Sequence, residues 1–443
     1  MRASSKEVAA AIGQSLGGSV TDLRRLSGGA SRITSSFTLT VDGAPPRPLI
    51  LQQDRGDGAG QGGKVITEAA LLAAAAEAKV PVPEVVGMGD DWLVVSYIAG
   101  ETIPRKILRD DEWGEARELL VAQCGTALAA IHTINPDDIP GLAYKDPLRH
   151  PLPFLDMLGE VRPALELGVR WLEANRLPAG RRVTVHGDFR SGNLMVGPQG
   201  LRAVLDWELA HGGDAAEDIG WLCAPAWRFG GPGVVGGFGD LDVLLASYVA
   251  AGGEVITPER VRWWQVYATV KWATICALQA SAHLSGSTRS VELAAIGRRV
   301  CENEWDLFTL LGIEAGPPVA APEPIAPTSP FGRPTAAELV EAVREYVEGD
   351  VMEKREGGER FQARIARNAL RIVERQLQLG PTLAAAHAER VSALGFHDDR
   401  GLAAAIRSGA FDNDWVAVGR ALASSARDQL LVANPDYLPA AIT

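Results

Sequence analysis

Between residues 183 and 222 the chain carries a dense run of oxygen-bearing side chains: His186-Gly-Asp188, then Asn193 five positions after that Asp, then Asp206. Their spacing fits a β-ribbon. Asn193 precedes the apolar run Leu194-Met-Val, a break follows at Gly197-Pro-Gln-Gly200, and a second run, 201–205, leads to Asp206. A tight hairpin puts the start of its first strand beside the end of its second. Asn193 and Asp206 can then aim an amide oxygen and a carboxylate at one point. Such hard oxygen donors suit Mg²⁺, which keeps several waters and takes further ligands from phosphate oxygens. Asp188, one loop earlier, falls close enough to face a phosphate on the same cation.

This combination resembles the catalytic loop and metal Asp of eukaryotic-like kinases. It is closer to the aminoglycoside phosphotransferase and choline-kinase-like family of small-molecule kinases, which has His-Gly-Asp where protein kinases have His-Arg-Asp. The wording of Phe189-Arg-Ser-Gly-Asn193 and Asp206-Trp-Glu-Leu-Ala-His-Gly-Gly-Asp214 is nearest to the branch attached to acyl-CoA dehydrogenases of hydroxy fatty acid breakdown. The resemblance spans residues 20–314. It implies an α+β, two-lobed protein-kinase-like fold, with a mixed N-lobe sheet and a mainly helical C-lobe. It also implies ATP- and Mg²⁺-dependent transfer of a γ-phosphoryl group to the hydroxyl of a small molecule. By motif position, Asp188 is the residue that orients the acceptor hydroxyl and takes its proton, and Asn193 and Asp206 hold Mg²⁺. His186 is expected to brace the loop, Glu208 to assist beside the metal Asp, and Asp214 and Asp218 to brace the structure behind.

The nucleotide side follows the same resemblance. Ser27-Gly-Gly-Ala-Ser-Arg32 precedes a strand pattern over 32–41, which assigns Gly28, Gly29 and Ser31 to a phosphate-cradling loop. The family places a Lys or Arg on the next strand to meet the α- and β-phosphates and a helix Glu. The alignment of Leu49-Ile-Leu-Gln puts Gln52 there, while the helix Glu is present as Glu68. Glutamine carries no charge, and a charge-assisted bond is roughly twice as strong as a neutral one. Three readings stay open: Arg55 or Lys64 substitutes, the enzyme works without the cation, or the domain is a nucleotide-binding pseudokinase with a regulatory or scaffolding role. Gly58-x-x-x-x-Gly63-Lys64 imitates a Walker A loop but has Val65 where a Ser or Thr belongs, and no parallel βαβ series surrounds it. Strand 92–98 should end at the lobe junction, with the adenine near Ser96 and Ile98.

For the acceptor, Arg190, Glu208, Trp227, Arg228 and Lys271 are the candidate contacts. Trp263, Tyr267 and Lys271 share one face of a helix expected over 258–284. Cations in an aromatic pocket favour an anionic acceptor, such as a hydroxyacid or hydroxyacyl-CoA. Transfer to an aminoglycoside antibiotic is the remaining alternative.

The elements that must position these groups are carried by 443 residues, enough for several cores. With 43 basic and 55 acidic residues the net charge is −12, which speaks against nucleic acid as a partner. The longest apolar runs are too short for a membrane span, and the first residues have no signal-peptide pattern, so a cytoplasmic location is expected. Four scattered cysteines, Cys124, Cys223, Cys276 and Cys301, read as packed thiols. The expected divisions are a nucleotide-binding N-lobe (1–98), a catalytic and substrate-binding C-lobe (99–315), a proline-rich linker (316–334) and a separate all-α bundle (335–443). Thr335-Ala-Ala-Glu338 reads as a capping box opening that last region. His387 and His397 there have no third metal ligand in pattern. A homodimer or a protein partner through these helices is the only role suggested for them.

Overall fold

Alternating apolar and polar residues build a five-stranded sheet near the N-terminus, in order β1-β2-β3-β5-β4 and antiparallel at every pair. Its strands are β1 (Ser19–Arg25), β2 (Arg32–Thr40), β3 (Arg47–Asp54), β4 (Val85–Met88) and β5 (Trp92–Ser96). The structure is a computed structural model that describes residues 5–26, 32–54, 65–149, 151–319 and 333–439. Phe37, Leu39, Leu49, Leu51 and Val94 point to one face of the sheet, where they pack with Ile12 of helix α1 (Ser5–Leu16). Arg32, Thr34, Ile50 and Gln52, at the alternate positions, line a cavity on the other face. Helix α2 (Val65–Glu77) buries Glu68, Leu71, Leu72 and Ala75. Helix α1 is an element that sequence reasoning missed, although Val8, Ile12 and Leu16 stand at helical spacing.

The chain continues through α3 (Pro104–Arg109), α4 (Gly114–Ile131), α5 (Pro151–Leu158), α6 (Pro163–Ala174), β6 (Arg182–Val185), β7 (Leu194–Gly197), β8 (Gly200–Val204) and β9 (His211–Asp214). It then runs into α7 (Ala215–Leu222), α8 (Leu241–Ala250), α9 (Pro258–Leu284), α10 (Val291–Ile296), α11 (Val300–Leu311), α12 (Ala336–Tyr346), α13 (Gly357–Ala393), α14 (Asp399–Arg407) and α15 (Trp415–Ala433). By contacts it separates into two units, Met1–Lys145 with Pro178–Trp264, and Asp146–Leu177 with Gln265–Thr443. No described helix is long and apolar enough to cross a membrane.

In the first unit β6 pairs with β9, and β7 with β8, as two short antiparallel ribbons. The β7–β8 ribbon is tied to the segment after β5. Glu101 and Val196 exchange both backbone bonds at 2.9 Å, and Arg202 donates to the Ala99 carbonyl at 3.0 Å. Helices α4 and α8 meet closely at Gly125, where an added Cβ would lie 2.8 Å from the Leu244 oxygen.

In the second unit the C-terminal helices share a core with earlier elements. Ala164 and Leu167 of α6 and Phe308 of α11 pack with Val391, Leu402, Ile406, Val418 and Leu422. Polar contacts follow the same seam. Arg407 binds both Asp156 and Glu166, the Tyr437 hydroxyl donates to Asp306 at 2.7 Å, and Asn434 donates to Glu302 at 2.9 Å. The capping box at Thr335 and Glu338 is formed in both directions. All four cysteines are buried, and none is in a disulfide.

Candidate active site

The ribbon brings the sequence-selected oxygens together. Leu194 pairs with Val204, and the Leu205 amide donates to the Asn193 carbonyl at 2.9 Å, so Asn193 and Asp206 flank one end of the hairpin. Asp206 holds a left-handed backbone (φ 65°), a conformation Asp tolerates better than most residues. The Asn193 amide nitrogen donates to the Asp188 carboxylate at 2.6 Å and to the Asp188 carbonyl at 3.0 Å. Its oxygen is therefore the atom it can offer a cation. The Asp188 carboxylate also accepts from Trp221 Nε1 at 2.8 Å and Arg190 Nε at 3.0 Å. Three donors fix this buried carboxylate in one orientation.

Behind it, the His186 and Gly187 amides both donate to Asp218 at 2.8 Å. Burial alone would raise the Asp218 pKa, but these bonds and that from His132 hold it below the usual carboxylate range. Gly187 sits at φ 79°, and a Cβ there would lie 2.5 Å from the Leu209 oxygen, so both conformation and space require glycine. Burial lowers the His186 pKa and favours the neutral ring. Its Nδ1 accepts from the Asp188 amide at 3.2 Å and its Nε2 donates to the Leu205 carbonyl at 3.1 Å. The ring is a strut between the Asp188 loop and the residue before Asp206. Asp214 caps α7 through the Ala216 amide and pairs with Arg260.

Asn193, Asp206 and Glu208 line a cavity of about 410 Å³ whose opposite wall is the inner face of the sheet. Asp206 is exposed to this cavity, and the protein close around it partly desolvates its carboxylate. That desolvation, with the carboxylates of Glu208, Asp188 and Glu68, pushes its pKa up to about 7. Crowded oxygens of this kind fit a hard divalent cation. Among the described residues no three His, Cys, Asp or Glu side chains form a metal cage. Two protein oxygens are what Mg²⁺ needs when waters and phosphate complete its shell.

Gln52, Glu68, Ser96 and Ile98 also line the cavity. Glu68, however, is not paired with Gln52. It forms a buried ion pair with Arg32 of β2, whose Nε also binds Asp54 at 2.9 Å. Sequence reasoning missed this because it sought the cation on β3 or in the glycine-rich segment. The signal was there in the alternation of β2, which puts Arg32 on the same face as Thr34. Gly28, Gly29, Ser31, Arg55 and the Gly58–Lys64 pattern lie outside the described residues.

Residues 22–264, more than half of the chain, match the model of the phosphotransferase enzyme family. The chain belongs to that family. Residues 353–437 match a model described as a domain of unknown function. The chain is 28% identical over 194 residues to mouse (Mus musculus) acyl-CoA dehydrogenase family member 10, covering 39% of this chain and 18% of the relative. It thus spans less than a fifth of the length of that curated relative. A solved candidate aminoglycoside phosphotransferase from Ralstonia eutropha shares its fold, with a TM-score of 0.54 at 19% identity over 70% of this chain and 99% of that one. A macrolide 2'-phosphotransferase from Brachybacterium faecium gives 0.46 at 18%, over 67% and 96%.

Beside Asp188, Arg190 lies over the ring of buried Trp227 at 4.8 Å. Trp221 and Trp227 are 5.3 Å apart, so an aromatic floor underlies Asp188. The bond from Trp221 to Asp188 is a contact that sequence reasoning missed. Arg228 donates to the Cys223 carbonyl at 3.0 Å. Lys271 falls in the second unit, over the Tyr267 ring at 5.8 Å.

Proposed function

We propose that the protein transfers the γ-phosphoryl group of ATP, with Mg²⁺, to the hydroxyl of a small anionic molecule, a hydroxyacid or its CoA thioester. The observation that carries this reading is the convergence of Asp188, Asn193 and Asp206 at one end of the ribbon, beside a cavity of nucleotide-compatible volume. Asn193 and Asp206 would hold the metal, which supplies neutralisation of phosphate charge when bound. Asp188, aimed by Trp221, Asn193 and Arg190, orients the acceptor hydroxyl and takes its proton as that oxygen bonds to the γ-phosphorus and the bond from phosphorus to the bridging oxygen breaks, releasing ADP. Ile98 lines the cavity and makes no backbone bond among the described residues, so its amide can meet an adenine edge.

Support for an anionic acceptor comes from Arg190. Its Nε is bound to Asp188 and its plane rests on Trp227, while its terminal nitrogens make no hydrogen bond among the described residues. A carboxylate or phosphate there would bring a nearby hydroxyl to Asp188, because a guanidinium fork binds such groups bidentately. The acyl-CoA dehydrogenase in the name of the mouse relative accords with an acyl-CoA acceptor.

The test is a radiolabelled-ATP assay with hydroxyacids, hydroxyacyl-CoA thioesters and aminoglycosides as acceptors. Transfer to the acids or thioesters that vanishes in Asp188→Ala supports the proposal. Transfer confined to aminoglycosides overturns the acceptor, and nucleotide binding without transfer to any hydroxyl overturns the catalysis.

A further inference from the structure

The sheet wall of the cavity has one charge problem. A nucleoside triphosphate is polyanionic, yet Glu68, Asp206 and Glu208 all line the cavity. Among the described residues that line it, Arg32 is the one cation. Gln52, at the place on β3 where a basic residue was expected, offers only a neutral amide.

The register explains how Arg32 reaches the wall. β2 and β3 run antiparallel with Arg32 opposite Asp54 and Thr34 opposite Gln52. Strand side chains alternate with a period of two, so Arg32, Thr34, Gln52 and Asp54 share one face. Arg32 is thus the diagonal neighbour of Gln52, a separation of about 7 Å that a long side chain spans. Two carboxylates then fix its guanidinium, Glu68 from α2 on one terminal nitrogen and Asp54 on Nε. A buried ion pair contributes little to stability once desolvation is counted. Its placement on a cavity wall therefore points to a ligand rather than to packing.

We infer that Arg32 supplies the cation that meets the nucleotide phosphates, held in place by Glu68, and that the phosphate-binding charge has moved from β3 to β2 in this chain. This rests on the nucleotide reading proposed above. It removes the reason to regard the domain as impaired on account of Gln52. Glu68 keeps the place of the helix carboxylate and changes only the strand from which its partner comes.

The experiment is a calorimetric titration of the 443-residue chain with Mg²⁺-ATP, ADP and adenosine, for wild type, Arg32→Gln, Arg32→Lys and Arg32→Gln/Gln52→Lys. A charged hydrogen bond lost to phosphate should weaken ATP and ADP binding by about tenfold to a hundredfold. Adenosine affinity should stay within a factor of about two, since adenosine has no phosphate for the cation to meet. Moving the charge back to β3 in the double variant should recover about tenfold of the loss in ATP affinity. Equal ATP affinity in Arg32→Gln, or an equal fall for adenosine and ATP, overturns the inference. Should Arg32→Gln fail to fold, Arg32→Lys decides. A lysine cannot hold both carboxylates and a phosphate in one plane, so ATP binding falls with adenosine unchanged, and undiminished ATP binding is again the overturning result. A wild-type protein that binds no nucleotide would sink the underlying reading, and this inference with it. A wild type that binds ATP as well as Arg32→Gln does would sink the inference alone.

Discussion

The two sides of the cavity are built on opposite plans. On the ribbon side, His186, Asp188, Asn193 and Asp206 come from one continuous stretch, and local hydrogen bonds set their geometry. On the sheet side, the corresponding charge pair joins Arg32 to Glu68 across 36 positions, and strand register sets its geometry. Local constellations are constrained at every position, since loop, turn and strand must all agree. A distant pair is constrained only in space, so either partner can shift to a neighbouring strand and still meet the other. The ribbon side should therefore be intolerant of any change, and the sheet side tolerant at Gln52 and intolerant at Arg32.

The largest expected effect is at Asp188. Asp188→Ala should lower kcat by about a thousandfold, as removal of a positioned proton acceptor commonly does, with little change in ATP affinity. A steady-state assay that finds activity within tenfold of wild type would break the ribbon half of the comparison. Next comes Asp218→Ala, which strands two buried amides and His132. It should cost about 3 kcal/mol in urea unfolding, from unsatisfied donors at 1–3 kcal/mol each. Gly187→Ala forces a side chain into a left-handed position against the Leu209 oxygen and should cost about 2 kcal/mol, read as a lower unfolding midpoint.

A smaller effect is expected from pH. His186 has its folded pKa lowered by burial, so the unfolded chain binds more protons just below its own pKa of about 6.5. Stability should consequently fall as pH drops below about 6.5, and His186→Gln should flatten that slope in unfolding curves taken across this range. The smallest is Gln52→Ala, which should change ATP affinity by less than about threefold, the worth of one weak neutral hydrogen bond. A loss as large as that of Arg32→Gln would erase the contrast between the two strands.

This contrast also marks what the sequence could convey. Helix α9 (Pro258–Leu284), strands β7 and β8, and the capping box at Thr335 follow local patterns, and their boundaries were legible. The convergence of Asn193 and Asp206 was legible because hairpin closure is a local event. The partner of Glu68 was not, because Arg32 is the last residue of a glycine-rich motif and the first of a strand. Its role depends on which residue of β3 lies opposite. Trp221 was likewise visible as an aromatic but not as a donor to Asp188, since that contact needs α7 folded back on the loop after β6. Helix α1 does carry an apolar stripe, Val8, Ile12 and Leu16 four residues apart, but it is short and was read together with the strands that follow it.

The seam between α6, α11 and the C-terminal helices bears on where this protein can be cut. Matching the family alone suggests trimming after Trp264, and the prolines beyond Gly316 suggest a later stop. The later stop would strip cover from Leu167 and Phe308 and leave the Glu166, Glu302 and Asp306 carboxylates without Arg407, Asn434 and Tyr437, and the earlier one would remove α11 as well, baring Leu167 and Glu166 of α6. The shortened chain would carry a sticky apolar scar flanked by negative charge stripped of its partners. The tail is in this sense the lid of a core that α6 and α11 have already begun.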